Sequence, residues 1–194
     1  MIDYGLGVYL DTIERASMAR DWRNDPEIRQ WCREYRLITP QMQQTWANKV
    51  QTDDHNYMFS ICVRPSMSDP TDGCVGVTGL TGINWVHRSA EFSIYIAPEY
   101  QHRGYATAAL KTLIRHGFDD MGLNRIWGET FTGNPGSRLY KRLGFLHEGH
   151  MREAYYKEGH YIDAHIYSML RSEFSPLFEK APTHDCLIYP DPDQ

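Results

Sequence analysis

The chain has few cysteines, no long apolar run and no surplus of positive charge. Its four cysteines, Cys32, Cys62, Cys74 and Cys186, stand far apart with no Cys-x-x-Cys pair. That spacing offers neither a disulfide framework nor a zinc knuckle and suits reduced thiols in a cytosolic setting. No stretch approaches the roughly 20 apolar residues of a membrane span. The start, Met1-Ile2-Asp3-Tyr4, carries neither the basic n-region nor the apolar h-region of a secretory leader. A cytoplasmic location with no membrane partner is therefore expected. Formal net charge is −5, which argues against nucleic acid as a partner, because phosphates need Lys and Arg to neutralise them, and mildly favours a cationic small substrate. Internal repeats and low-complexity tracts are absent. Nine histidines invite a metal reading, through His147 with His150 or His160 with His165. Neither pair completes a standard ligand set, and no metal is expected.

What is present is an ordinary globular composition, 41% hydrophobic and 23% charged over 194 residues, enough for one well-buried domain. Residues 90–121 organise it. Phe92, Ile94 and Ile96 alternate with Glu91, Ser93 and Tyr95, the two-residue period of a strand, and Pro98 closes it. From Ala106 the period lengthens: Ala109 and Leu110, Leu113 and Ile114, Gly117 and Phe118 mark one buried helix face up to Met121. Between strand and helix runs Gln101-His102-Arg103-Gly104-Tyr105-Ala106. A glycine there lets the backbone approach a ligand, and the first amides of the helix lack intrahelical partners, so the loop predicts an anion cradle with the charge of Arg103 beside it.

Before this unit, residues 3–10 read as an edge strand, and helical material follows from Thr12 to Cys32, broken where Asp25 caps and Pro26 opens a new turn. Thr39-Pro40 starts another helix with Met42, Trp46 and Val50 on one face. Trp22, Trp31, Tyr35 and Trp46 suit either a core or a cleft lining. Tyr57–Val63 and Cys74–Leu80 predict a hairpin across the Pro-, Ser- and Asp-rich segment 65–73, and Gly76, Gly79 and Gly82 mark a bulge or a crowded crossing. After the long helix come a strand over Leu123–Thr132, a short helix started by Asn134 or Ser137 with Leu139 and Leu143 on one face and Tyr140 beside it, and a hairpin turning at Lys157-Glu158-Gly159-His160. The domain is expected to span 1–174. The Pro-rich segment 175–194 reads as an extension without regular structure.

Gln101-x-x-Gly104-x-Ala106, placed between a strand and a helix, resembles the acyl-CoA pyrophosphate loop of the GCN5-related N-acetyltransferases (GNAT superfamily). Tyr140-x-x-Leu143-Gly144-Phe145 resembles that superfamily's second hallmark. Glu148-Gly149-x-x-Arg152-Glu153, Gly159-x-Tyr161-x-Asp163-Ala164 and Trp22-Arg23-Asn24-Asp25-Pro26-Glu27 resemble its RimJ/RimL-type branch, which includes spermidine and nucleotide-amino-sugar N-acetyltransferases. The resemblance covers roughly residues 5–172. It implies an α/β (α+β) fold: a mixed, mostly antiparallel central sheet flanked by helices, with a splayed cleft for acetyl-CoA as co-substrate. The branch usually places an asparagine seven residues before the tyrosine, where this chain has Gly133, with Asn134 one residue late. Either the loop is one residue shorter or a different amide contacts the cofactor.

The resemblance implies attack of a neutral primary amine on the thioester, with a polyamine, an amino sugar or a peptide N-terminus as acceptor. An alkylammonium of pKa about 10 must lose a proton, and a thiolate of intrinsic pKa about 8.5 leaves better on receiving one. Tyr140 is expected as the acid and Glu91, directly or through water, as the base. Ile94, Tyr95 and Ile96 are expected along the pantetheine arm. Gln101, His102, Arg103, Gly104, Tyr105, Ala106 and Thr107 are expected around the pyrophosphate, with Asn134 a further cofactor contact. Glu27, Glu34, Asp53 and Asp54 are acids that could meet a polyamine. The branch often forms homodimers, so a second copy is an expected partner. A non-catalytic acyl-CoA-sensing module on the same scaffold is the alternative.

Overall fold

Eight strands, counted among the described residues, form one sheet in a computed structural model of the chain, which describes residues 1–15, 18–65 and 73–178. In chain order the elements are β1 (Ile2–Asp3), β2 (Tyr9–Thr12), α1 (Ala19–Asn24), α2 (Pro26–Arg29), α3 (Pro40–Val50), β3 (Tyr57–Val63), β4 (Gly73–Asn84), β5 (Ser89–Ile96), α4 (Tyr105–Arg115), β6 (Arg125–Phe131), α5 (Gly136–Arg142), β7 (Leu146–Lys157), β8 (His160–Leu170) and α6 (Arg171–Phe178). The sheet order is β1-β2-β3-β4-β5-β6-β8-β7. Every neighbouring pair is antiparallel except β5 and β6, which run parallel.

That exception shapes the molecule. β5 and β6 pair only at Ser89 with Arg125, Ala90 with Ile126 and Glu91 with Trp127. Beyond them β5 stays with β4 as far as Ile96, and β6 stays with β8 as far as Phe131, so the strands part into a wedge. Side-chain bulk marks the parting. The Phe92 ring lies over Gly128, the first β6 residue past the last pair, and a Cβ there would come within 2.4 Å of the ring.

Helix α4 covers one face of the sheet. Leu110, Leu113 and Ile114, with Phe118 in the π-helical turn that continues it (His116–Asp120), are fully buried in a cluster with Leu80, Phe92 and Ile126. Each such side chain contributes about 1.5–3 kcal/mol of burial. On the opposite face Trp22 of α1 packs with Val77 and Ala97, flanked by Trp46, Met58 and Tyr95. Asp25 caps α2 by accepting from the Glu27 amide at 2.8 Å, and Thr39 caps α3 by accepting from the Met42 amide at 3.2 Å, as their positions before Pro26 and Pro40 predict.

Several expectations are corrected in detail. The edge strand over 3–10 is two short strands, because the chain turns over between Asp3 and Tyr9 and β1 folds back on β2. Of the four early aromatics, Trp22 is core and Trp46 packs against it, whereas Tyr35 is exposed. Gly76 and Gly79 do stand at crowded crossings, each with a backbone oxygen 2.4 Å from where a Cβ would lie. Segment 66–72 lies outside the described residues. Helix α6 carries regular structure through Ser175 to Phe178, four residues into the expected extension; the rest of that extension, with Cys186, lies outside the described residues.

Candidate active site

Helix α4 begins at Gly104, whose backbone is left-handed (φ +84°) and which offers no side-chain cap. His102, two residues earlier, is also left-handed at φ +61°. Such turns tip neighbouring amides toward one side, making an anion-binding concavity at the positive end of a helix dipole. A Cβ at Gly104 would meet no protein atom within 4 Å, so the space before the turn is open. Gln101 braces the loop by donating from Nε2 to the Ile96 carbonyl at 3.1 Å. Arg103 donates to the Glu99 carbonyl at 3.1 Å and lies 5.7 Å from the Tyr100 ring centre, so its charge sits on the turn leading into the loop. Tyr105 is buried in the core, and Ala106 and Thr107 complete the first turn of α4 half-exposed.

The open edge of β5 runs toward this loop. The Ala97 amide donates to the Val75 carbonyl on β4 at 2.9 Å. By alternation, the backbone groups of 91, 93 and 95 face β4, and those of Ile94 and Ile96 face the wedge. The Tyr95 backbone is therefore turned to β4, away from the wedge side on which the pantetheine arm is expected. Its carbonyl points at Gly76, its hydroxyl donates to the Ala19 carbonyl at 3.3 Å on the α1 face, and burial pushes the phenol pKa up.

Tyr140 stands at the side of the same wedge. Its ring meets Phe92 edge-on at 4.9 Å and Tyr167 at 5.8 Å. Enclosure by these rings makes it a core residue, although its position on α5 reads as peripheral. Burial, with Tyr167 adding to it, pushes the phenol up to about 12, which keeps its proton in place and available for donation. A Cβ on Gly136 would lie 3.0 Å from both the Tyr140 hydroxyl and Asn134 Oδ1, which puts the phenol next to the turn that starts α5. There Asn134 Oδ1 accepts from the Gly136 amide at 2.8 Å, so the late asparagine organises its own turn.

Glu91 lies on the other face, with α1 and α2. Arg33, from the segment after α2, donates to Glu91 Oε1 at 2.6 Å. Burial pushes the Glu91 carboxyl up, and Arg33 pulls against that shift. Two groups that strand periodicity does not single out sit close by. Glu129 Oε1 and Thr130 Oγ1 are, among the described residues, the two buried side-chain oxygens with no hydrogen-bond partner. They are consecutive on β6 just past the parting, Glu129 on the Glu91 face and Thr130 on the α4 face. The Tyr155 phenol stands between the Glu129 carboxylate and Arg33: burial, then Glu129, push its pKa up, and Arg33 pulls against them. Of the other acids, Glu34 is held by Arg36 and Asp53 by the His55 amide and Asn56, while Glu27 lines a depression with Tyr35, Tyr156 and Lys157. His147, His150 and His165 gather on β7 and β8, but no three His, Cys, Asp or Glu side chains converge as a ligand set among the described residues.

The family model described as an acetyltransferase (GNAT) domain matches residues 10–146. This chain belongs to the GNAT acetyltransferase family. It is 34% identical over 109 residues to spermidine N(1)-acetyltransferase of Vibrio cholerae, covering 56% of this chain and 63% of that protein. It is 37% identical over 100 residues to a putative ribosomal N-acetyltransferase of Bacillus subtilis, covering 51% and 55%. These alignments thus span less than two thirds of either relative. A crystal structure of the Vibrio cholerae spermidine N-acetyltransferase in complex with CoA and spermine superposes with a TM-score of 0.79 at 27% identity, covering 87% of this chain and 98% of that one. A dodecameric form of that enzyme superposes at 0.71, with 26% identity, covering 87% and 96%. The GNAT fold, with its parted central strands, is the architecture found here.

The residues fit the CoA that this relative holds. A Cβ at Gly104 would meet no protein atom within 4 Å, the backbone groups of Ile94 and the Ile96 amide are turned from β4 toward the wedge, where an amide-bearing arm could find partners, and the orphan Thr130 hydroxyl lies on the α4 face of the same parting. No helix among the described residues is long and apolar enough to cross a membrane.

Proposed function

We propose that this GNAT chain transfers the acetyl group of acetyl-CoA to a primary amine, with a polyamine as the acceptor. The observation that carries the reading is the wedge between β5 and β6, which has the Gly104 turn at its end, the Tyr140 phenol at its side and Glu91 on the opposite face. In this arrangement the diphosphate lies at the start of α4 and the thioester lies near Tyr140. The amine nitrogen, arriving from the α1 and α2 face, attacks the thioester carbon. A nitrogen–carbon bond forms and the carbon–sulfur bond breaks. The proton released by nitrogen goes to Glu91, directly or through water, and the departing sulfur receives one from Tyr140. The products are the acetamide and free CoA thiol. A polyamine acceptor is supported by the net charge of −5 and by the spermidine acetyltransferases among the relatives. The dodecameric relative supports self-association here, which light scattering at working concentration measures.

Thiol release from acetyl-CoA tests the reading across spermidine, an amino sugar and an N-terminal peptide. Release with spermidine at the highest kcat/KM is expected. Absence of release with all three would replace the transferase with a non-catalytic acyl-CoA-binding module.

A further inference from the structure

We propose that Glu129 docks the cationic acceptor, through a hydrogen bond from the substrate ammonium to its unpartnered Oε1. This rests on the amine-acetylating reading and deepens it by naming a specificity-determining residue at the same site. The charged side chains on the α1 and α2 face include Glu91, Glu129, Arg33, Lys157 and Arg23, and the Arg23 guanidinium lies over the Tyr95 ring, 6.0 Å from its centre. Arg33 is engaged by Glu91 Oε1 at 2.6 Å and by Tyr155. Lys157 donates to the carbonyls of Arg29 at 2.7 Å, Gln30 at 2.6 Å and Cys32 at 3.3 Å, and its Nζ lies 5.7 Å from the Phe131 ring centre. Arg33 and Lys157 are thus engaged elsewhere. Glu129 has the Tyr155 hydroxyl beside its carboxylate, no hydrogen-bond partner at Oε1 and no ion pair among the described residues.

A carboxylate oxygen removed from water without a donor is costly, and a bound cationic ligand would supply the missing partner. The position suits that explanation. Glu129 is the second β6 residue beyond the last pair with β5, on the face opposite the Tyr140 phenol and the Gly104 cradle. An ammonium bridging toward Glu129 stands where its neutral form can reach a thioester in the wedge. The same placement separates the roles of the two carboxylates. Glu91 is held in a fixed orientation by Arg33, whereas Glu129 answers to the ligand. Glu129 also raises the pKa of Glu91 through like charge, an effect that a docked cation reverses.

The Glu129→Gln variant keeps the shape of the side chain and removes its charge. Replacing a charge-assisted hydrogen bond by a neutral one is expected to raise the KM for spermidine roughly tenfold or more, with kcat and the KM for acetyl-CoA within about twofold of wild type. Titration calorimetry of spermidine onto the CoA-saturated protein reads the same loss in Kd without turnover. An unchanged spermidine KM and Kd in that variant overturns the docking role. So does an equal rise in the KM for acetyl-CoA, which would mark a structural effect on the wedge. Should Glu129→Gln fail to fold, Glu129→Asp withdraws the carboxylate by one methylene and is read against the same two criteria. Wild-type protein that turns over no amine and binds no spermidine would instead sink the underlying acetyl-transfer reading.

Discussion

Tyr140 and Gly104 carry opposite kinds of burden. Replacing Tyr140 with Phe leaves the packing against Phe92 and Tyr167 in place and removes only the hydroxyl. The expected result is a fall in kcat of about 10²- to 10⁴-fold, the usual worth of a positioned acid, with CoA affinity nearly unchanged. Full activity in that variant would discard the acid role. At Gly104 the backbone itself is at stake, since φ +84° disfavours any β-branched residue. A valine there also fills the open space that a diphosphate needs. Gly104→Val should raise the KM for acetyl-CoA steeply, and wild-type KM would remove the phosphate assignment. The places of both residues in the fold were legible in the sequence because their signals are local, a glycine between two changes of period and a tyrosine in a short helical motif. Glu129 was not legible. It sits on a strand of ordinary appearance, and its significance arises only where β5 and β6 part, with Arg33 brought in from nearly a hundred residues earlier.

Strands and helices were read well wherever a cap or a turn announced them. Asp25, Thr39 and Glu158-Gly159 each mark a boundary by side-chain or turn chemistry that acts within four residues. Boundaries set by distant packing were read less well. Tyr140 is a core residue because Phe92, Phe145 and Tyr167 come to it from three other strands or turns. On β6 the close fit of Gly128 beneath Phe92 predicts that Gly128→Ala costs about 1–3 kcal/mol through overpacking, measurable by urea denaturation. The same change should loosen Tyr140, which shares the Phe92 ring. Hairpin β7–β8 makes a separate prediction. His165 is hydrogen-bonded to His147 at 3.0 Å and to Thr132 at 3.0 Å, and stacks on His150, itself bonded to Asp163 at 2.8 Å. Burial, then the like charges of His147 and His150, hold the His165 pKa below its ordinary value against the pull of Asp163. The unfolded chain then takes up this proton first as pH falls through about 6.5. Stability from this group is therefore complete above that pH and declines below it until the folded pKa is reached. Melting temperatures at pH 7.5 and 5.5 should fall less far apart in His165→Asn than in wild type, and an equal fall in both would remove the account.

At the scale of the whole molecule, net charge and sheet topology each have a consequence. An acidic protein draws in a multiply charged acceptor from a distance, and salt weakens that attraction because the screening length is only about 8 Å at physiological ionic strength. Raising salt should therefore increase the KM for spermidine more than the KM for a simple monoamine, and a parallel rise would assign the effect to general salt inhibition.

Within the sheet, three residue pairs join the β1-to-β5 half to the β6-to-β8 half, and beyond them the two halves meet through the shared core under α4. The seam is thin where an ordinary sheet would continue for several more rungs, and a pantetheine arm laid along β5 supplies some of them. The co-substrate then doubles as a rivet across the parting. At a hundredfold excess over its Kd it should add about 2.7 kcal/mol to global stability, with the largest slowing of amide exchange on the stretches that border the wedge, 92–96 of β5 and 128–131 of β6.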